Sequence, residues 1–172
     1  MNRSSGILLH ISSLPSPYGI GNLGREAYAF VDFLKEAKQK YWQILPICPP
    51  GYGDSPYQAF STFAGNPYFI DPDALIEHGW LTKSDTEEFR WSQRDDQVDF
   101  KTMYDCRAQL LHTAFCRFRH DPPADFATYV EREGWWLREY ALFMAVKGHF
   151  GDGPWTEWPL DIRLHQPEAM QT

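Results

Sequence analysis

The chain has 172 residues, a formal net charge of −7, 43% hydrophobic and 23% charged residues, long enough to bury a core and neither disordered nor fibrous in character. With that acidity and no lysine or arginine run, nucleic acid is excluded as an expected partner. No apolar stretch approaches the ~20 residues of a membrane span, and the apolar run in MNRSSGILLH is shorter than a signal-peptide core, so a cytoplasmic protein with no membrane partner is expected.

Residues 6–11, GILLHI, form a short apolar run between serines and read as a strand buried on both faces. After the turn-rich loop SSLPSPYGIGNLG, the apolar residues Ala27, Phe30, Val31, Leu34 and Ala37 recur with helical spacing and predict an amphipathic helix over 25–38. YWQILPI, 41–47, reads as a second buried strand that stops at Pro46. Strand, helix and strand make a βαβ unit with parallel strands and a right-handed crossover, which selects the α/β class. A loop of roughly 20 residues, 48–67, follows, and an irregular stretch of that length in a compact domain is functional or wrongly assigned.

Beyond the loop the pattern is helical. Asp71 and Asp73 flank Pro72 and suit a helix start. A short helix over 75–81 precedes a second start at SDTEEF, where Ser84 and Glu87 fit a capping box. A helix over 103–119 places Leu110, Leu111, Ala114, Phe115 and Phe118 on one face, and helices over 125–133 and 135–149 complete the pattern. From Gly151 the chain is rich in proline and polar residues, with no cap, strand or closing element expected.

The glycines of YGIGNLG, at 19, 21 and 24, have the G-x-G-x-x-G spacing of dinucleotide sites. That fingerprint needs a strand running straight into the first glycine and an acid at the end of the second strand. His10 lies nine positions before Gly19, with two prolines between, and YWQILPICPP carries no acid. The phosphate reading fails, and the glycines are expected to let a loop turn back onto a helix.

The loop CPPGYGDSPYQAFSTFAGNP presents Asp54, Ser55, Tyr57, Gln58 and Asn66 on a backbone stiffened by prolines. Such loops, at the C-terminal ends of parallel strands, line ligand crevices. The same residues also suit an ordered loop whose Asp and Ser bond their own backbone. Asp54 could serve as an acid, but glycoside chemistry needs a second carboxyl about 5–5.5 Å away for retention, or farther for inversion, and the loop has none. Glu131 and Glu133 read as a solvated helix face. His10 suits either a site or a satisfied core position. Cys48, Cys106 and Cys116 form no metal-ligand or C-x-x-C spacing, so free thiols and no metal are expected. The 16% aromatic content, with seven tryptophans, fits a bulky core or ring faces for sugars.

SGILLHISSLPSPYGIGNLG, YWQILPICPPGYGDSPYQAFSTFAGNPYFID and WWLREYALFMAVKGHFGDGPWTEWP resemble the 4-α-glucanotransferases called amylomaltases or disproportionating enzymes. The resemblance runs from about Ser5 to Pro159. It implies the first two parallel strands of a (β/α)8 TIM barrel over 1–73, a mainly helical insertion over 74–159 and a truncated tail over 160–172. It also implies transfer of α-1,4-glucan segments to a sugar 4-hydroxyl, with maltooligosaccharides as donors, glucose as an acceptor and no cofactor. The family's three catalytic carboxylates lie on later strands, so no catalytic residue is expected in this chain. An N-terminal portion, inactive alone, is expected. By the same resemblance, Ser55 and Tyr57 line the donor side of the cleft, Asp54 helps hold the loop, and Tyr52 with Tyr104 forms a secondary glucan site. The alternative is a non-catalytic α-glucan-binding module.

Overall fold

GILLHI and YWQILPI pair in parallel, but over three residues each: β1, Gly6–Leu8, and β2, Tyr41–Gln43, with Gly6 opposite Tyr41 and Leu8 opposite Gln43. The computed structural model describes residues 3–51, 53–91 and 96–169. The strands end early because side chains take over the ladder. Leu9 N–H still donates to the Gln43 carbonyl, but the Leu9 carbonyl accepts from Trp42 Nε1–H (2.7 Å), and Leu45 N–H donates to His10 Nδ1 (3.3 Å). Beyond that point the first chain segment coils into a 3-10 turn, Ile11–Ser13. Burial on both faces is not met: Leu8 is 57% and Tyr41 64% exposed. Gly6 is required by the pairing itself, since a Cβ there would stand 2.5 Å from the Tyr41 carbonyl oxygen.

Between the strands runs α1, Arg25–Glu36, which buries Ala27 and Leu34 and sets Phe30 edge-on to Trp42 at 4.9 Å. It ends before the expected Lys38, which adopts φ 56°, while Gln39 N–H closes back on the Leu34 carbonyl, a left-handed termination of the kind that satisfies the last carbonyls.

The chain divides into two compact units, Met1–Pro123 and Ala124–Thr172. In the first, two hydrophobic clusters join the β1–α1 loop to the helices that follow. One gathers Ile11, Leu14, Ile20, Ala27, Phe69 and Met103; the other gathers Tyr18, Leu81, Trp91, Leu110 and Ala114. The helix α4, Phe100–Phe118, serves both clusters through the stripe Met103, Arg107, Leu110 and Ala114. The inward face is therefore rotated from the expected one. Leu110 and Ala114 are buried as expected, whereas Phe115 is 55% exposed.

α2, Pro72–Glu77, starts as the Asp-Pro-Asp sequence suggests, with Asp71 as N-cap accepting from Asp73 N–H, but it occupies 72–77 and not the expected 75–81, because Gly79 (φ 77°) turns the chain after its end. At α3, Lys83–Glu87, the capping box uses Thr82 and Asp85, not Ser84 and Glu87. The reason is tertiary. Asp85 is gripped by Arg117 of α4 at 2.6 and 3.1 Å, which sets the helix start two residues earlier, at Thr82. The Arg117 side-chain bond, with Thr82, holds the Asp85 carboxyl well below the usual carboxylate range. A depressed folded-state pKa contributes stability above the unfolded value of 3.8 and loses it as pH falls further. Thr82→Ala is expected to cost about 1 kcal/mol in urea unfolding at neutral pH. Asp85→Asn is expected to destabilise at pH 7 and to close on the parent progressively as pH falls below 3.8 toward the much lower folded-state pKa; a pH-independent difference between the two would contradict the assignment.

In the second unit, α5, Phe126–His149, is one helix where two were expected. The glycine at 134 costs only ~1 kcal/mol in a helix interior. Trp136 Nε1–H also bridges it by donating to Glu133 Oε2 at 2.8 Å. Glu133 accepts from Arg132 as well, so it is an engaged carboxylate rather than a freely solvated one, and its pKa is lowered by Trp136 first and Arg132 second. The segment after Gly151 is more ordered than expected. A 3-10 turn, Trp155–Glu157, and α6, Leu160–Arg163, flank Trp158, which is buried against Phe143 and Phe150. Among the described residues no helix is long and apolar enough to cross a membrane.

Candidate functional site

The chain leaving β2 folds into a hairpin-like loop. Pro50 bridges Ala59 in antiparallel fashion, Phe60 N–H donates to the Pro49 carbonyl, and Gly51 N–H to the Gln58 carbonyl. The reversal is made by Gly53 (φ 87°) and Asp54 (φ 58°). Two consecutive left-handed residues turn the chain tightly, and Asp is among the few non-glycine types that tolerate this region. Asp54 N–H then closes on the Gly51 carbonyl and Gln58 N–H on the Ser55 carbonyl, while Tyr57 N–H reaches Ser55 Oγ at 3.4 Å. At the base, Asn66 N–H donates to the Ile47 carbonyl and Ser61 Oγ accepts from Phe63 and Ala64 N–H.

Asp54, Ser55 and Tyr57 thus share one tip. Tyr57 is 73% exposed, a large ring standing in solvent, while Asp54 and Ser55 are half-buried. Partial burial pushes the Asp54 carboxyl pKa up. Tyr52 lies outside the described residues. Tyr104 is carried by a different element, α4. It is half-buried at the rim of the first cluster, with its ring 5.0 Å from that of Tyr68 and 6.2 Å from that of Phe100.

Elsewhere the structure distinguishes between readings that the sequence left open. His10 is half-buried and engaged in the fold: Nδ1 accepts Leu45 N–H, the ring meets Phe69 edge-on at 5.4 Å, and burial lowers its pKa. Asp71 and Asp73 are committed to structure. Asp71 caps α2 and accepts from Asn22 Nδ2 at 3.1 Å, and Asp73 accepts the Tyr18 hydroxyl. No group of three or more His, Cys, Asp or Glu among the described residues could hold a metal.

The β1–α1 loop packs onto this same network. Asn22 Oδ1 accepts Gly24 N–H at 3.0 Å, and Gly19 and Gly21 line a groove of about 1070 Å³ with Ser12, Ser13, Glu26 and Trp91. Sequence reading missed Trp91 and Arg107, the two side chains against which the loop rests. Arg107 is 0% exposed; its one sequence signal is its place between Met103 and Leu110 on the helical repeat, which an arginine masks.

A family model described as 4-alpha-glucanotransferase matches residues 9–172. The chain is 47% identical to a 4-alpha-glucanotransferase of Thermus thermophilus, over 98% of this chain and 34% of that protein. It is 30% identical to a chloroplastic/amyloplastic 4-alpha-glucanotransferase of Solanum tuberosum, over 98% of this chain and 30% of that protein. An amylomaltase from Streptococcus agalactiae, solved in complex with acarbose, superposes with a TM-score of 0.92 at 41% identity, covering 99% of this chain and 35% of that one. The chain therefore spans about a third of the length of the curated relatives it matches.

Proposed function

Since this chain belongs to the 4-alpha-glucanotransferase family, we propose that it is the N-terminal, substrate-contacting part of an enzyme that transfers α-1,4-glucan segments to a sugar 4-hydroxyl in carbohydrate metabolism. On this reading residues 1–73 carry the first two strands of a (β/α)8 barrel, 74–159 an insertion and 160–172 the tail. The protein is cytoplasmic, consistent with three unpaired cysteines.

The observation that carries the reading is the loop after β2. Its tip holds Ser55 beside an exposed Tyr57 on a backbone fixed by its own hydrogen bonds. A rigid aromatic face beside a hydroxyl suits a pyranose, whose C–H face packs on the ring while the hydroxyls take the polar groups. Asp54 holds the turn. Tyr104, with Tyr52, offers a second glucan contact. The reacting carboxylates are supplied from outside these residues: Asp71 and Asp73 are engaged in capping and in the Tyr18 bond. Glucose serves as acceptor, and no cofactor takes part. The curated relatives are named as transferases, which does not favour a stand-alone binding module.

Titrating the 15N-labelled chain with maltoheptaose is expected to move the Ser55 and Tyr57 amides, and Tyr57→Ala to weaken binding about tenfold. The chain alone should release no glucose from maltotriose above a blank. Unmoved Ser55 and Tyr57 resonances at saturating glucan would overturn the site; glucose release would overturn the division of labour.

A further inference from the structure

Arg107 sits in the middle of the buried stripe of α4, 0% exposed, yet it has no carboxylate within ion-pair distance among the described residues. Nη1 donates to the Ile70 carbonyl at 3.2 Å, while Nε and Nη2 are buried without an oxygen partner. The guanidinium carbon lies 5.9 Å from the Tyr18 ring centroid and 5.6 Å from that of Trp91, and these two rings meet edge-on at 5.6 Å. Ring faces therefore take the place of the missing acceptors, an arrangement that suits the planar, weakly hydrated guanidinium and not an ammonium. Burial lowers the Arg107 pKa to about 10, opposed by the Asp71 charge.

Each group that Arg107 touches leads to the β1–α1 loop or to the start of α2. Tyr18 opens YGIGNLG and donates its hydroxyl to Asp73. Trp91, fixed by its Nε1–H bond to the Thr86 carbonyl (3.0 Å), lies so close to Gly19 that a Cβ there would come within 2.9 Å of the Trp91 carbonyl oxygen. The Ile70 carbonyl precedes Asp71, the residue that bonds Asn22. Charged side chains reach protein interiors at a cost, and here the buried guanidinium touches three separate chain segments.

We infer that Arg107 is a positioning residue: from α4 it sets the conformation of the β1–α1 loop at the C-terminal end of β1, and so shapes the glucan cleft from a helix that need not touch the glucan. The cleft half of this statement rests on the function proposed above; the loop half does not.

The two halves separate in one experiment on the 172-residue chain. Arg107→Met keeps volume without charge, and Arg107→Lys keeps charge without the planar stack. In glucan-free protein both are expected to shift the amide resonances of Gly19 and Gly21, well below the unfolding temperature, with lysine failing to restore the parent positions. Maltoheptaose affinity should fall about tenfold, a loss of about 1.4 kcal/mol. Folded variants whose Gly19 and Gly21 amides stay in place while only α4 amides move would overturn the inference and leave Arg107 as core packing alone. If both variants fail to fold, Arg107→Gln, which keeps a donor for the Ile70 carbonyl without the planar cation, is read the same way. If the parent itself binds no maltoheptaose, the glycine shifts still decide the role of Arg107, and only the glucan reading falls.

Discussion

Gly21→Ala is expected to unfold the first unit at a denaturant concentration far below that of the parent, a loss on the order of 3–5 kcal/mol. A Cβ built there stands 2.1 Å from the Ile11 carbonyl oxygen and 2.7 Å from the backbone N and O of Leu14. All three are backbone atoms of the 3-10 turn that follows β1. That turn is held by Ser13 N–H to the His10 carbonyl, Leu14 N–H to the Ile11 carbonyl and Gly21 N–H to the Ser12 carbonyl. Relief requires moving a segment whose Ile11 and Leu14 side chains are 2% and 5% exposed, so strain and lost packing add. Gly24→Ala meets the Asp71 carboxylate at 2.3 Å, a side chain that can turn aside at the expense of a cap, and should cost about 1–2 kcal/mol. Gly65→Ala meets nothing within 4 Å and is expected to be neutral or stabilising by up to ~1 kcal/mol. Urea unfolding followed by tryptophan fluorescence ranks the three; a parent-like midpoint for Gly21→Ala would refute the packing of the loop on the turn.

The second large effect concerns the face of α4. Met103→Ala and Leu110→Ala should each cost roughly 2–5 kcal/mol, the transfer term plus an unfilled cavity, because the two side chains are 0% and 1% exposed. Met103 belongs to the cluster with Ile11, Ile20 and Phe69, and Leu110 to the cluster with Tyr18, Leu81 and Trp91. Phe115→Ala, larger in atoms removed but 55% exposed, should stay within about 0.5 kcal/mol. Equal losses at Phe115 and Leu110 would mean that the helix is rotated from the orientation described. The contrast matters for function, since the orientation that buries Met103 and Leu110 is the one that turns Arg107 toward the β1–α1 loop.

Periodicity was enough to find α1 and α4, because an amphipathic stripe is a property of neighbours three and four apart and needs no tertiary information. Asp71 as the cap of α2 was equally legible, since its acceptor bonds run to the residues next in the chain. Strand order and direction followed from the βαβ pattern. The loop after β2 stood out by its glycines and prolines, and the structure gathers Asp54, Ser55 and Tyr57 on its tip.

What the sequence alone determined is therefore what depends on near neighbours: the α/β pattern, the parallel strand pair, the presence of α1 and α4 and the identity of the polar loop, whereas which face of α4 turns inward was decided by the fold. Tertiary structure decided where partners far apart in the chain compete with those local signals. Trp42 and His10 ended the strands by claiming groups that the ladder would have used, and Arg117 drew the start of α3 to Thr82 and Asp85. It also decided the meaning of YGIGNLG. Its glycines are required because Ile11, Leu14, Trp91 and Asp71, from three other parts of the chain, come within a Cβ radius of them, and no pattern of near neighbours carries that distance.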